Sequence, residues 1–163
     1  MVRENFDGLV TPENPKEKLG KLFQDVFASF EKRKLQYDTL TEKVKSLKAK
    51  LEGLIDIALN KPEFNSALRI LLNYLKNVND IEVYIAERKG EINSNEAGLR
   101  KIDKTFATHP DKIEIFILGA EKELKALLSD GIKSTDGYVK TTERSLETLS
   151  ETINQFQVKL ESL

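Results

Sequence analysis

The chain has 163 residues, of which 39% are hydrophobic and 33% are charged, and its formal net charge is -1 at pH 7. This length fits one domain with its own core, and the balance of charges argues against nucleic acid as a partner, because duplex binding depends on a concentrated basic face. The chain has no cysteine, which excludes disulfides and thiolate metal sites. We expect a cytoplasmic protein, since we find neither a signal peptide nor a run of ~18 apolar residues that could span a membrane.

Residues 1–14 predict a flexible N-terminal arm, because Gly8 and Pro12 interrupt a stretch that has no helical period. Asn14 and Pro15 then form a typical helix start, with Asn14 as the N-cap and Pro15 as the first helical residue. We therefore predict a first helix over about 15–59.

The first helix carries a heptad pattern with steps of four and three residues. Apolar residues at this spacing remain on one face only when a long helix packs along partners in a coiled-coil manner. One basic residue, Arg33, interrupts the otherwise apolar series. The predicted seam consists of Leu19, Phe23, Val26, Phe30, Arg33, Tyr37, Leu40, Val44, Leu47, Leu51, Leu54 and Ala58.

A second helix is predicted over about 62–107. Its apolar residues recur every seven positions, with Ile81 and Ile102 among their companions, and Gly90 is a candidate break. The seven-residue series continues through this break, which favours one kinked helix over two. The series is Phe64, Leu71, Val78, Ile85, Ile92, Leu99 and Phe106.

A third helix is predicted over about 110–162, with two halves whose apolar patterns differ in phase. Leu124 belongs to the first pattern, whereas Ile132 and Leu146 belong to the second. Gly131 and Gly137 lie where the phase changes. Glycine weakens a helix, so a kink or a short loop is expected there.

Short turns between long helices force neighbouring helices to reverse direction. The predicted fold is therefore all-α: an antiparallel bundle of three long, kinked helices with coiled-coil packing, formed by residues 15–163 as a single elongated domain. In this arrangement Arg33, Arg88, Lys89 and the two Asp-Gly pairs (Asp130-Gly131 and Asp136-Gly137) should lie near one another. Arg33 either extends its guanidinium past Tyr37 to solvent or pairs with a carboxylate and sets the register.

The sequence favours a protein that is not an enzyme and holds no cofactor or metal. His109 is the only histidine and lies beside Pro110, without the Glu-x-x-His spacing of di-iron bundles. We interpret it as an exposed turn residue. No phosphate-binding glycine loop or nucleophile motif is present in the sequence.

Several apolar residues lie beside the predicted seams, and one stripe cannot bury them all. They form a possible self-association face, which favours a homodimer that also binds a protein partner. The alternative is a thicker core near the helix ends. The residues of this face are Leu22, Phe27, Ile70, Leu72, Ile115, Phe116 and Leu118.

The first helix also carries a basic stretch, which is a possible contact for an anionic surface. The alternative is a solvated face whose lysines pair with the acidic side of the third helix, near Glu143, Glu147 and Glu151. The residues of the basic stretch are Lys32, Lys34, Lys43, Lys45, Lys48 and Lys50.

These patterns favour a structural or adaptor protein that acts through self-association and protein binding. At the level of architecture, three long kinked helices with surplus apolar surface also resemble the BAR-type membrane-curvature modules. That resemblance implies a dimer on a membrane surface. A carrier that holds an apolar ligand between its helices is a further alternative.

Overall fold

A computed structural model of the protein describes the backbone of residues 15–109 and 113–162, and the side chains of residues 17–109 and 119–162. The predicted N-terminal arm, residues 1–14, lies outside the described residues.

The described chain forms three long helices, α1 (Pro15–Leu59), α2 (Asn65–Thr108) and α3 (Ile113–Glu161). A single 3-10 turn, Pro62–Phe64, lies between α1 and α2, where proline suits the first position of the turn. Within the ranges that the structure covers, no strand is present. The prediction of an all-α bundle of three helices is confirmed.

The helices contribute to two compact units. Among the described residues, unit 1 contains the start of α1 up to Glu31 together with Ser94–Lys133, and unit 2 contains Lys32–Asn93 together with the part of α3 that begins at Ser134. Each helix thus supplies one segment to each unit, and each unit is a bundle of three helical segments.

Contacts within unit 2 show that α1 and α2 run in opposite directions. The Arg88 side chain bonds to Tyr37, whereas Glu82 pairs with Lys48, so partner numbers on α2 fall as those on α1 rise. This is the reversal expected across the short turn between them.

The α1 and α3 segments of unit 2 run in the same direction. Gln36 bonds to Asp136 and Lys43 pairs with Glu143, so the numbers on the two helices rise together. Since α2 lies between them in the chain, two successive reversals give this parallel pair.

The predicted seam of α1 is buried along its whole length, from Leu19 to Ala58, and no residue in it is more than 9% exposed. Burial of one large apolar side chain contributes roughly 1.5–3 kcal/mol, so a continuous buried stripe accounts for much of the stability of such a helix. The seam prediction is confirmed, Arg33 included.

The seven-residue series, which begins at Phe64 in the 3-10 turn and continues through α2, also lies in the core. Phe64, Leu99 and the members between them are buried, and Phe106 is half-buried. The helix continues without interruption through Gly90, as predicted. The prediction that Ile102 supports this seam is wrong, because 48% of the residue is exposed.

The third helix is continuous through Gly131 and Gly137, so of the two alternatives, a kink or a short loop, the loop is wrong. The apparent change of phase arises because small polar residues occupy core positions: Thr135 and Thr142 are buried, whereas Ile132 is exposed. Threonine is not counted among the apolar residues of a helical pattern. One continuous buried stripe along α3 therefore read in the sequence as two apolar patterns that differ in phase.

Both Gly90 and Gly137 are helical and exposed, and a Cβ atom added to either would meet nothing within 4 Å. The substitutions Gly90→Ala and Gly137→Ala should each stabilise the fold by about 0.5–1 kcal/mol, because alanine has a higher helix propensity. Urea unfolding followed by circular dichroism measures the change. Destabilisation by either variant would show that the helix is not continuous at that position.

Candidate functional site

A polar layer crosses the core of unit 2 and is formed by Arg33 and Tyr37 of α1, Arg88 of α2 and Thr135 of α3. The Arg33 Nε–H donates to the Thr135 hydroxyl at 2.7 Å, and the Tyr37 hydroxyl donates to the same oxygen at 3.3 Å. Arg88 Nε–H donates to the Tyr37 hydroxyl at 2.9 Å. The layer thereby joins all three helices through side-chain hydrogen bonds.

Arg33 lies in this layer because the α1 heptad turns its position toward the core. Burial lowers the pKa of Arg33 below its usual value, Tyr37 opposes the shift, and the neighbouring charge of Arg88 adds to it. The guanidinium nevertheless stays charged at neutral pH, because arginine does not lose its proton in proteins. The alternative in which Arg33 extends past Tyr37 to solvent is wrong, because only 9% of the residue is exposed.

Three tyrosine rings surround the Arg88 guanidinium. Its central carbon lies 4.5 Å from the Tyr138 ring centroid and 5.8 Å from those of Tyr37 and Tyr84. The same group donates to the Ser134 hydroxyl at 2.8 Å and to the Ser134 carbonyl at 3.2 Å. Aromatic faces attract a cation electrostatically, so this cage holds the charge of Arg88 between α2 and α3.

The pKa values of two cage groups, the Arg88 guanidinium and the Tyr138 hydroxyl, are raised. Burial lowers the pKa of Arg88, but its hydrogen bond to Tyr37 and the interactions with Tyr37 and Tyr84 outweigh burial and raise the pKa overall. Burial also raises the pKa of the Tyr138 hydroxyl, although its hydrogen bond with Thr142 acts in the opposite direction. The cage is therefore cationic, with a neutral phenol at Tyr138.

Two further pairs lie beside the polar layer. Gln36 donates to the Asp136 carboxylate at 3.0 Å, and Lys89 forms an ion pair with Asp38. Of the predicted cluster, Arg33, Arg88, Lys89 and Asp136 lie in unit 2, at or beside the polar layer. Asp130 and Gly131 belong to unit 1, so only the part of the prediction in unit 2 is confirmed. Pairs of this kind position the helices relative to one another rather than activate a nucleophile or a base.

Sequence reasoning missed the tyrosine cage and Thr135. Tyr84 precedes Arg88 by four residues, a spacing that brings two side chains together on one helix. The contact between Tyr84 and Arg88 could therefore have been predicted from the sequence. The contribution of Tyr138 depends on the pairing of α2 with α3, for which the sequence provides no local signal.

His109 is exposed just beyond the end of α2, and its backbone N–H donates to the Thr105 carbonyl at 2.9 Å. Among the residues that the structure describes, no group of three or more His, Asp or Glu side chains is placed to hold a metal ion.

The residues of the predicted self-association face are in different environments. Leu22 belongs to the core of unit 1, and Phe27 is half-buried there, with the Arg100 guanidinium 4.5 Å from its ring centroid. Ile70 and Leu72 of unit 2 are exposed. The remaining members belong to α3, but their side chains lie outside the described ranges: Ile115, Phe116 and Leu118.

Exposed apolar residues gather at one end of unit 2, in what we term the apolar collar. They lie in the last turn of α1, the first turns of α2 and the last turn of α3. A ring contact of 6.2 Å between Tyr74 and Phe156 places the end of α3 beside the start of α2. The collar consists of Ile57, Leu59, Ile70, Leu72 and Val158, which are 40–65% exposed.

The basic stretch of α1 is interspersed with acidic partners. Three of its lysines lie within 4.0 Å of a carboxylate: Lys43 with Glu143, Lys45 with Glu42, and Lys48 with Glu82.

The other members of the basic stretch differ in exposure. Lys32 and Lys50 are exposed, and Lys34 is half-buried. Lys50 also lines an open cleft with Glu143 and Glu147. The sequence left open the alternative that lysines of the basic stretch pair with the acidic side of the third helix. Lys43 does so, through its ion pair with Glu143.

Within the residues that the structure describes, no helix is both long and apolar enough to cross a membrane. Comparison of the chain with known protein families, with curated proteins and with solved structures found no match.

The substitution Tyr37→Phe removes the hydroxyl that links Arg88 to Thr135 and should destabilise the protein by about 1–3 kcal/mol, the cost of leaving buried polar groups unpaired. Chemical unfolding of the variant and of the wild type measures the loss. Tyr74→Phe is the matched control, since the Tyr74 ring contacts Phe156 in the same unit, and it should change stability by less than about 0.5 kcal/mol. Equal effects of the two changes would contradict the role of the polar layer.

Proposed function

We propose that the protein is a non-enzymatic structural or adaptor protein that self-associates as a homodimer and presents its remaining surface to a protein partner. The observation that carries this proposal is the apolar collar of unit 2. Single exposed apolar residues are ordinary, whereas a group of them around one end of a bundle is typical of an interaction surface.

The charges around the collar suit a second copy of the same chain. Acidic and basic residues alternate there in equal number, so two copies can face each other without a large net repulsion. A strongly basic rim would instead favour an anionic partner. The charged residues of this rim are Asp56, Lys61, Glu63, Arg69, Lys159 and Glu161.

A structural role for the polar layer supports the non-enzymatic part of the proposal. Arg33, Tyr37, Arg88 and Thr135 direct their polar atoms at one another, and the cage tyrosines hold Arg88. Catalytic groups need a reacting atom within hydrogen-bond reach and a pKa suited to proton transfer. An arginine held in a cage of tyrosines provides a positioned charge instead.

The alternative of a BAR-like membrane module has less support from the contacts. Its basic stretch would need lysines that face an anionic surface together, and Lys43 and Lys48 each pair with a carboxylate on another helix. Such pairs reduce the positive potential that attracts a negatively charged membrane.

Sedimentation equilibrium over a range of concentrations tests the proposal. We expect the wild type to approach dimer mass, and we expect Leu72→Glu and Ile70→Glu each to raise the dissociation constant by at least about tenfold, because a carboxylate would be buried against apolar groups. Both residues are exposed in the single chain, so neither change should disturb its own core.

Leu35→Glu and Val83→Glu are matched controls, because both residues are exposed apolar residues of unit 2 that lie outside the collar. They should leave the dissociation constant unchanged. Monomer mass for the wild type at all concentrations would contradict self-association. An equal response of collar and control variants would contradict the collar as its surface.

A further inference from the structure

An apolar groove runs between α2 and α3 in unit 1, separate from the collar of unit 2. It encloses about 380 Å³, which is within the usual range of small-molecule sites. Its floor is Phe23 of α1, a residue that is only 3% exposed. The apolar part of the groove is formed by Phe23, Leu99, Ile102, Ala120, Leu124 and Leu127.

Gly98 opens the α2 wall of this groove. A Cβ atom at Gly98 would meet nothing within 4 Å, so the absence of a side chain leaves space between the two helices. Ile102, one turn further along the same wall, leaves 48% of its surface exposed although an apolar residue was expected to be buried there. An apolar ligand in the space beside Ile102 would cover its exposed apolar surface and displace poorly bound water.

Polarity changes along the groove. Ser94 and Asn95 line it one turn before its apolar part, and from Ser94 to Ile102 the helical rise corresponds to about 12 Å. Glu123 of α3 adds a carboxylate to the lining. A hydroxyl and an amide can bond a neutral polar head, and the described lining contains no lysine or arginine that could pair with an anionic one.

We propose that this groove binds the single alkyl chain of a free amphiphile that has an uncharged, hydrogen-bonding head. The chain lies over Phe23 beside Gly98 and Ile102, and the head lies at Ser94 and Asn95. A docked helix from a partner is a poorer fit, because Ile102 is the only large apolar residue of the lining that is strongly exposed among the side chains that the structure describes.

Titration of the ¹⁵N-labelled full chain with 1-decanol, followed by NMR, tests the proposal. Saturable shifts should concentrate at the amides around Gly98 and Leu124. Decanoate has the same chain length but an anionic head, and at pH 7 it should bind at least about tenfold more weakly, because its carboxylate would find no basic partner in the described lining.

Gly98→Leu should fill the groove and abolish decanol binding. Gly90→Leu is the matched control, because Gly90 is also an exposed glycine of α2 with nothing within 4 Å of its Cβ position, but it lies in unit 2. The control should bind decanol as the wild type does. Both substitutions replace a helical glycine with a stronger helix former, so unfolding is not the expected outcome.

The proposal is overturned if decanol produces no saturable shift below its solubility limit, if Gly98→Leu still binds, or if decanoate binds as tightly as decanol. A change in sedimentation mass for Gly98→Leu without any decanol binding by the wild type would instead make the groove a contact between copies. Since the groove is in unit 1 and the collar is in unit 2, either proposal can fail alone.

Discussion

A buried guanidinium is the constraint on which the packing of unit 2 depends. The heptad of α1 directs Arg33 inward, and a buried charge without hydrogen-bond partners would cost several kcal/mol. The Thr135 hydroxyl accepts its Nε–H, and Tyr37 connects this pair to Arg88. These bonds depend on the register of the three segments, because a shift of α3 by one turn would put Ile132 or Val139 in place of Thr135.

The polar side chains that fix the packing of unit 2 differ from the surfaces that we propose for binding. The side chains of the polar layer are occupied by one another, and Tyr84 and Tyr138 are occupied by Arg88. The surfaces that we propose for binding are apolar instead: the collar in unit 2 and the groove in unit 1. Apolar burial is the main favourable contribution to association, and both proposals rest on it.

The fold could be predicted from the sequence where apolar residues recur at a regular helical spacing. The α1 seam is an example, since Leu and Val at heptad spacing are rarely arranged in that way on a solvated helix. The prediction failed on α3, where Thr135 and Thr142 take core positions and Ile132 is exposed. Thr135 is held in the core by its hydrogen bond with Arg33 of α1, a contact that the sequence of α3 alone does not indicate. The collar was predictable in part, through Ile70 and Leu72. The groove depends on space beside Gly98 between two helices, which no local pattern in one helix can indicate.

Cysteine cross-linking tests the register most directly, since the chain contains no cysteine of its own. Gln36 donates to Asp136 at 3.0 Å, so in the double variant Gln36→Cys with Asp136→Cys a short bifunctional methanethiosulfonate reagent should link the two thiols within a single chain. The pair Gln36→Cys with Glu143→Cys, displaced by about two helical turns on α3, should remain unlinked under the same conditions. Faster cross-linking of the displaced pair would contradict the register that the polar layer sets.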